Sequence, residues 1–292
     1  MCIIQLFCDI HDFILKYEKQ KTSQSSEDIN TFIKRNRVCR LHISEVMTIL
    51  VFFHQSNHRT FKHYYQQKVQ QELGWAFPHL VSYTRFVELM DGALELLQMY
   101  LTTRYAACSG IAFADATALP VCHNLRISRH RVFAHNAARG MTSVGWFYGF
   151  KCHIIINDKG ELLATQLTPA NIDDRKPMLE LTRNLTGKIY ADRGYISQTL
   201  GDALQTRNLC LITKVRKNMK QKQMSDFDEA LLNKRMLVET VIGLLKSQTQ
   251  IQHTRHRSWT NYQVNQVAAL IAYTHLKKKP AIDVATLREK YK

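Results

Sequence analysis

The segment Ile111–Leu119, IAFADATAL, marks the point at which the pattern of the chain changes. Before it, apolar residues recur at helical spacing, whereas after it short apolar runs alternate with helical segments. The segment itself predicts a β-strand with Asp115 near its middle. An ionised carboxylate among Ala, Phe and Leu side chains needs a charged partner or a metal ion. Asp115 is therefore the first candidate for a functional acid.

Four further strands are predicted downstream. Two of them, Trp146–Ile156 and Leu162–Leu167, are joined by Asn157–Gly160, whose sequence NDKG favours a hairpin turn. The elements that follow are the helix Asp174–Leu185, the strand Lys188–Asp192, the helix Ser197–Arg207, the strand Cys210–Val215, and the helices Asp228–Thr249 and Asn261–Lys277. This order predicts an α/β fold with a mixed five-stranded sheet, antiparallel at its start and parallel at its end, flanked by helices.

The chain before about residue 110 is predicted to be all-helical. The predicted helices are Ile3–Tyr17, Ile43–His54, Phe61–Val69 and Val81–Leu101. The basic and aromatic segment Asn57–Tyr65 fits either a DNA contact or a core helix with solvated charges, and a helix-turn-helix ending in Ser82–Met90 stays open. We predict a helical DNA-binding or dimerisation region over 1–108, an α/β catalytic domain over 109–280 and a charged tail over 281–292.

Charge indicates the class of partner. The 292 residues carry a formal net charge of +16, and 45% of them are hydrophobic, so the chain is expected to fold and to meet a polyanion. Nucleic acid is the first expectation, although a ribosome or an anionic membrane surface would share this bias. The longest apolar run, Val46–Phe53, is far shorter than the roughly 20 residues of a membrane span, and no secretory signal is recognisable.

The seven cysteines do not predict a disulfide framework. They are scattered, odd in number and contain no C-x-x-C pair, which fits a reducing, cytoplasmic compartment. The adjacent pairs Cys122-His123 and Cys152-His153 are poor zinc ligands, because neighbouring residues of a strand point to opposite faces.

Two more acids join Asp115 as candidates. Asp192 ends a predicted strand, and Glu239 lies on the predicted helix around Leu232–Lys246, with Arg235 and Lys246 on the same face. Strand, strand and helix can bring three carboxylates together, and such hard oxygen ligands suit Mg²⁺ or Mn²⁺. Two ions of this kind can support phosphoryl transfer. The alternative for the helix is a surface helix with an ordinary Arg–Glu pair.

Competing acids stand near Asp192. Asp173 and Asp174 are alternatives to it, but they precede the predicted helix Asp174–Leu185 and are expected to cap it, and Asp158 is expected to be a turn residue. No Asp or Glu occurs from Ala116 to Asn157, or between Thr240 and Ile282. Acids isolated in basic surroundings are what a metal-dependent nucleic-acid enzyme needs.

Five motifs together resemble the bacterial insertion-sequence transposases of the 982 family, which are DDE transposases with a ribonuclease-H-like catalytic domain. The motifs are Phe113–Thr117 (FADAT), Gly145–His153 (GWFYGFKCH), Leu167–Arg175 (LTPANIDDR), Ala191–Tyr195 (ADRGY) and Arg255–Ser258 (RHRS). The resemblance extends from about Ser44 to Tyr273. It implies that Asp115, Asp192 and Glu239 are the catalytic and metal-binding acids, served by Mg²⁺ or Mn²⁺, with two ions and no organic cofactor.

The helix resembles the wider Y-x-x-R-x-x-x-E-x-x-x-x-x-x-K signature of related transposases, in which Arg235, Glu239 and Lys246 match and Leu232 stands at the Tyr position. The short segment 216–225 leaves no room for the large β-rich insertion that some related transposases carry before the final acid. The formation of DNA hairpins, which is associated with that insertion, is therefore not expected. The residues implied to bind DNA are Arg126, Arg129, Arg131, Lys214, Arg216, Lys217, Lys220, Arg235, Lys246, Arg255 and Arg257. For the later basic residues, the alternative is a solvated loop.

The implied activity is cleavage at the ends of an insertion sequence, followed by attack of the freed 3′-OH on target DNA. The implied partners are double-stranded DNA, as terminal inverted repeats and target, and a second copy in a homodimer. The implied location is the nucleoid in a bacterial cytoplasm, with no membrane contact. Two alternatives stay open, namely a metal-dependent nuclease of the same fold and a DNA-binding protein without catalysis.

Overall fold

The computed structural model describes residues 2–24, 41–214, 224–252 and 256–291. The chain divides into two compact units. The first comprises Met1–Thr103 and Gln248–Lys277, and the second comprises Arg104–Ser247 and Lys278–Lys292.

The described part of the first unit is built from helices. They are α1 (Ile3–Gln24), α2 (Ile43–Phe53), α3 (Phe61–His63, continued as a π-helix over Tyr64–Glu72), α4 (Tyr83–Met90), α5 (Leu94–Thr103) and α10 (Trp259–Thr274). A capping box begins α2, since the His42 side chain accepts from the Ser44 N–H and Glu45 accepts from the His42 N–H. The predicted helix Val81–Leu101 is interrupted by a 3₁₀ turn over Asp91–Ala93.

Helix α10 belongs to the first unit, although the sequence predicts it as part of an α/β domain over 109–280. Val264, Ala268, Ala269 and Tyr273 are all buried, so the helix is covered around most of its circumference. It packs against α2 and α5 within the unit, which gives it two neighbours to bury against. Sequence periodicity locates such a helix but not its packing partners.

The second unit is built on one six-stranded mixed sheet. Its strands are β1 (Ile111–Cys122), β2 (Ala138–Thr142), β3 (Gly145–Asn157), β4 (Leu162–Pro169), β5 (Gly187–Ala191) and β6 (Leu209–Thr213). The order is β2-β3-β1-β5-β6, and β4 also pairs with β3. The pairs among β1 to β4 are antiparallel, and β5 pairs in parallel with β1 and β6. The predicted fold class is confirmed, with β2 as an additional short strand.

The predicted hairpin turn is confirmed at Asn157–Gly160. Gly160 donates its N–H to the Asn157 carbonyl and has a φ of 67°, a conformation that glycine adopts without strain. The Asn157 side chain accepts from the backbone N–H groups of Lys159 and Glu161. Local sequence therefore determines this connection.

The helices of the second unit are α6 (Met178–Leu181), α7 (Gln198–Gln205), α8 (Asp226–Asn233), α9 (Met236–Ser247) and α11 (Val284–Lys290). The buried cluster under α6 and α7 includes Ala112 and Ala114 of β1. Because side chains alternate along a strand, Asp115 points to the opposite face, where α9 packs against β1. The fold thus places Asp115 and α9 together.

Two helices replace the single helix predicted over Asp228–Thr249. Helix α8 ends at Asn233 and α9 begins at Met236, with Arg235 in the turn between them. The reason is tertiary, since α8 packs against β5 and β6 whereas α9 packs against β1 and β3. One straight helix could not pack against β5 and β6 at one end and against β1 and β3 at the other.

The structure shortens one further predicted helix and adds a helix within the predicted tail. The helix predicted over Asp174–Leu185 is only the short α6, because residues before it form turns, and Pro177 precedes it without a side-chain cap. The predicted charged tail contains α11, which begins after Asp283, whose side chain accepts from the Thr286 N–H. Helix α11 packs against α8 within the second unit.

Gly149 is expected to be sensitive to the smallest side chain. Its φ is 157°, and an added Cβ would collide with the carbonyl of Leu119 on the neighbouring strand. Gly149→Ala should lower the free energy of unfolding by about 2 kcal/mol, measured by urea unfolding. The control is Gly201→Ala in α7, where a Cβ meets open space and helix propensity favours Ala. Equal stability of the two variants would contradict the expectation.

Candidate active site

Strand pairing brings the first two acids side by side. β1 and β5 run parallel, with Ile111 opposite Lys188 and Phe113 opposite Tyr190. Continued for two residues, this register sets Asp115 beside Asp192, just beyond the last residue of β5. The two residues are 77 positions apart in the chain, so only the sheet places them together.

Asp192 begins a 3₁₀ turn at the end of β5. Its Oδ1 accepts a hydrogen bond of 2.7 Å from the N–H of Gly194. It lines an open cleft of about 500 Å³ together with Arg193, Lys214 and Arg235. An exposed carboxylate among three cations in a cleft of this kind suits a polyanionic substrate.

Glu239 lies in the first turn of α9 and is joined to Asp115 through one guanidinium. Arg235 Nη2 lies 2.5 Å from Glu239 Oε1, and Nη1 lies 3.4 Å from Asp115 Oδ2. Arg235 thus bridges two of the three candidate acids. The predicted Arg–Glu pair is present, but it faces the sheet rather than being an isolated surface pair.

The pKa of Asp115 is raised from 3.8 to about 6, chiefly by burial. The negative charges of Asp192 and Glu239 also contribute to this increase. The Ala116 N–H, 2.8 Å from Asp115 Oδ1, and the Arg235 guanidinium act in the opposite direction. All three acids therefore contribute to one electrostatic site.

Lys246 belongs to the same site. Burial lowers the pKa of its ammonium group, and the charge of Asp115 works against that change. The helical face predicted to carry Arg235, Glu239 and Lys246 thus adjoins Asp115. Leu237, Val241 and Leu245 are buried as expected, while Leu244 is only partly buried.

The three acids do not form a ready-made metal site. No group of three or more His, Cys, Asp or Glu side chains within the described residues is arranged to hold a metal ion. Carboxylate oxygens are the donors that a hard divalent cation prefers, and the charges of Asp192 and Glu239 both act on Asp115. The donors fit a cation in kind, but the Arg235 guanidinium lies between Asp115 and Glu239. That the three acids together bind the ions stays a prediction.

The sequence comparison decides the family. The profile of the family described as "Transposase DDE domain" matches residues 105–259, more than half of the chain. The chain belongs to the DDE transposase family. No curated protein matches it significantly.

Solved transposase structures are similar to this transposase at low sequence identity. A piggyBac transposase synaptic complex with hairpin DNA shares 11% identity, covers 98% of this chain and 77% of its own, and has a TM-score of 0.48. The Mos1 strand transfer complex shares 14% identity, covers 94% and 82%, and has a TM-score of 0.31. A Mos1 paired-end complex with Mn shares 12% identity, covers 89% and 87%, and has a TM-score of 0.25.

A second polar group of the transposase escaped the sequence prediction. Lys151 Nζ donates to Asp174 Oδ1 and to the Ile172 carbonyl, both at 2.9 Å. Asp174 therefore anchors a loop to β3 rather than capping a helix, whereas Asp173 accepts from the Arg175 N–H in a local turn. The charge of Asp174 reaches Tyr195, whose pKa is raised by burial first and then by Asp174, Asp115 and Asp192.

His153 lies beside this group on β3. It is buried, its Nε2 lies 2.8 Å from Thr168 Oγ1, and its Nδ1 has no hydrogen-bond partner within the described residues. Burial lowers its pKa to about 4, so the ring is neutral at pH 7. The alternation of Lys151 and His153 along a strand is a sequence signal that could have indicated one polar face.

The predicted DNA-binding residues of the transposase have several locations. Arg126 and Arg129 lie on an exposed 3₁₀ turn after β1, followed by exposed Arg131. Lys214 donates to Asn233 Oδ1 at 2.7 Å in the cleft. Arg257 is exposed in the first unit. The predictions for Arg216, Lys217, Lys220 and Arg255 lie outside the described residues.

No described helix is both long and apolar enough to cross a membrane.

Proposed function

We propose that this transposase cleaves DNA at the ends of a mobile element and joins the freed 3′-OH to target DNA. The observation that supports this most directly is the parallel register that sets Asp115 beside Asp192, with the charge of Glu239 acting on the same carboxyl. Acids of one site held on two strands and a helix can serve both steps, because both are phosphoryl transfers.

Asp115, Asp192 and Glu239 are the proposed ligands of divalent ions, Mg²⁺ or Mn²⁺, in a pair. When bound, such ions supply Lewis-acid activation of the attacking oxygen and stabilise the leaving 3′ oxygen. Asp115 is ionised at pH 7, above its pKa of about 6, and the protein's own part is to orient the three acids on rigid elements.

Arg235 is proposed to exchange partners when DNA arrives. Its guanidinium now neutralises Asp115 and Glu239, and a guanidinium pairs equally well with a phosphate. Moving to a DNA phosphate would separate it from the two acids and open the space between them. Lys246, partly buried beside Asp115, would hold a second phosphate.

Double-stranded DNA is the proposed partner, as terminal inverted repeats and as target. The cleft cations Arg193 and Lys214, and exposed Arg126, Arg129 and Arg131, would hold its phosphates. Two DNA ends must be brought together for joining, so we propose a homodimer that acts on bacterial DNA in the cytoplasm.

We also propose membership of the insertion-sequence 982 group within the family, supported by the five sequence motifs. Leu232, at the Tyr position of the wider signature, is 5% exposed, so it serves packing of α8 rather than a polar role. Terminal inverted repeats flanking the gene would support this assignment, and their absence together with a lack of joining activity would remove it.

A strand-transfer assay tests the proposed function. Purified protein, Mg²⁺ or Mn²⁺, a pre-cut element end and a target plasmid should yield joined product that requires the 3′-OH. Nicking without joined product would instead identify a nuclease of the same fold. DNA binding without either product would identify a protein that has lost catalysis.

DNA affinity is expected to fall steeply with salt. If at least six phosphates are neutralised, the affinity should drop roughly 1,000-fold between about 50 and 200 mM salt, measured by fluorescence anisotropy. Replacing Arg126, Arg129 and Arg131 by Ala should reduce the slope by about one for each phosphate that is no longer neutralised. The control Arg183→Ala, whose guanidinium pairs with Glu180, should keep the slope. A flat response of the wild-type protein would contradict the proposed surface.

A further inference from the structure

An exposed apolar patch lies around the β2–β3 hairpin and the turn after β1. We define the hairpin patch by four side chains and their exposed fractions, namely Leu125 (85%), Met141 (64%), Val144 (96%) and Trp146 (62%). Large apolar side chains exposed together mark a surface that meets another molecule. The acidic site described above uses none of the four.

The hairpin holds these residues close to each other. Met141 lies directly opposite Trp146 in the antiparallel register, so both side chains project from the same face, and Val144 lies in the turn between their strands. Asn124 Nδ2 donates to the Trp146 carbonyl at 2.8 Å, which ties the residue before Leu125 to the hairpin. The patch is thus presented by paired backbone rather than by a free loop.

The surroundings of the hairpin patch are positive. Arg139 shares the face of Met141 by strand alternation, and Arg126, Arg129 and Arg131 follow Asn124 on the 3₁₀ turn and its loop. None of these four arginines has an ion-pair partner among the described residues. No Asp or Glu occurs from Ala116 to Asn157. The ligand therefore needs to be anionic as well as able to cover an aromatic ring.

A second copy of the chain fits these requirements poorly. A two-fold contact through the hairpin patch would bring the arginines of both copies towards each other without acids between them. Nucleic acid meets both requirements, because phosphates pair with Arg while bases stack on an indole. Bases inside an intact duplex already stack on each other, so an exposed Trp favours an unpaired base.

We propose that the hairpin patch binds DNA at an unpaired base, with Trp146 stacked on the base and the surrounding arginines on the flanking phosphates. The proposal rests on the proposed function, since cutting and joining of DNA ends creates unpaired strand ends. Met141, Val144 and Leu125 would border the stacked base with apolar surface. Sequence preference is not required, because every base presents a face for stacking.

The test measures binding of a duplex with a short single-stranded end and of its blunt counterpart, by fluorescence anisotropy. Trp146→Ala should weaken binding of the single-stranded end about tenfold or more, with blunt-duplex affinity unchanged. Trp146→Phe, which keeps an aromatic face, should recover most of the loss. Trp75→Ala is the matched control, because Trp75 is 68% exposed but lies outside the patch.

The proposal would be overturned if Trp146→Ala bound each duplex with the same affinity as the wild type, or if Trp75→Ala lost as much affinity for the single-stranded end as Trp146→Ala. It would also be overturned if the only effect of Trp146→Ala were a change from dimer to monomer in light scattering. The last would assign the patch to self-association. Strand transfer by the wild type is assayed in parallel. Suppose that Trp146→Ala no longer prefers the duplex with the single-stranded end, while the wild type shows no joining activity. That result would overturn the proposed function but support the stacking surface.

Discussion

Asp115→Asn is expected to abolish DNA cleavage while DNA binding persists. The loss should be at least about 1,000-fold in rate, which corresponds to about 4 kcal/mol of transition-state stabilisation. The reason is the central position of Asp115. It lies beside Asp192 in the strand register, and it shares the Arg235 guanidinium with Glu239. Removing one negative charge from a DNA-binding cleft does not weaken affinity for a polyanion.

The measurement is single-turnover cleavage of a labelled element end, with binding followed by anisotropy on the same DNA. Asp192→Asn and Glu239→Gln should give losses of the same order, because each removes one proposed ligand. The control is Asp202→Asn, which alters an exposed acid of α7 that accepts from Gln198. Full cleavage by any one of the three site variants would reject that residue as an essential acid.

The same Asp115→Asn substitution is expected to stabilise the fold at pH 7.5. Folding raises the pKa of Asp115 from 3.8 to about 6, chiefly by burial, so the ionised carboxylate is held at a cost. This difference in pKa corresponds to about 3 kcal/mol in the free energy of unfolding. Because the Asp115 side chain is 23% exposed, solvent screening reduces the expected gain to about 2 kcal/mol. Asn has a similar shape, carries no charge, and can still accept from the Ala116 N–H.

The direction of the pH dependence follows from the raised pKa. Protonated Asp115 favours the folded state, so this contribution to wild-type stability is complete below about pH 3.8 and is lost as the pH rises through about 6. The advantage of Asp115→Asn should therefore be largest above pH 6 and vanish below pH 4. Urea unfolding of both proteins across this range measures it, and a variant less stable than wild type at pH 7.5 would contradict the electrostatic account.

Glu239→Gln provides a matched check on the cause. It removes one of the two neighbouring charges that raise the pKa of Asp115 but leaves the buried carboxyl in place. The pKa of Asp115 should therefore fall. The stabilities of Glu239→Gln and of the double variant Asp115→Asn/Glu239→Gln should then diverge at lower pH than those of wild type and Asp115→Asn. An unchanged range would mean that burial alone determines the titration.

Sequence patterns predicted the sheet more accurately than the helices. The alternating segment around Asp115 and the turn Asn157–Gly160 carry their signal within a few residues, and both are confirmed. The break before α9 was missed because the apolar spacing through Arg235 remains helical. What interrupts the helix is the different packing of α8 and α9, which no local window contains.

Side-chain chemistry and spacing within a dozen residues identify five of the six described strands, the turn at Asn157–Gly160, the basic character of the chain and the candidate acids. Tertiary contacts place Asp115 beside Asp192, the Arg235 guanidinium between Asp115 and Glu239, and Asp174 against Lys151. Those relations join residues far apart in the chain. They depend on strand register and packing, which are properties of the whole fold and are not encoded in any single segment.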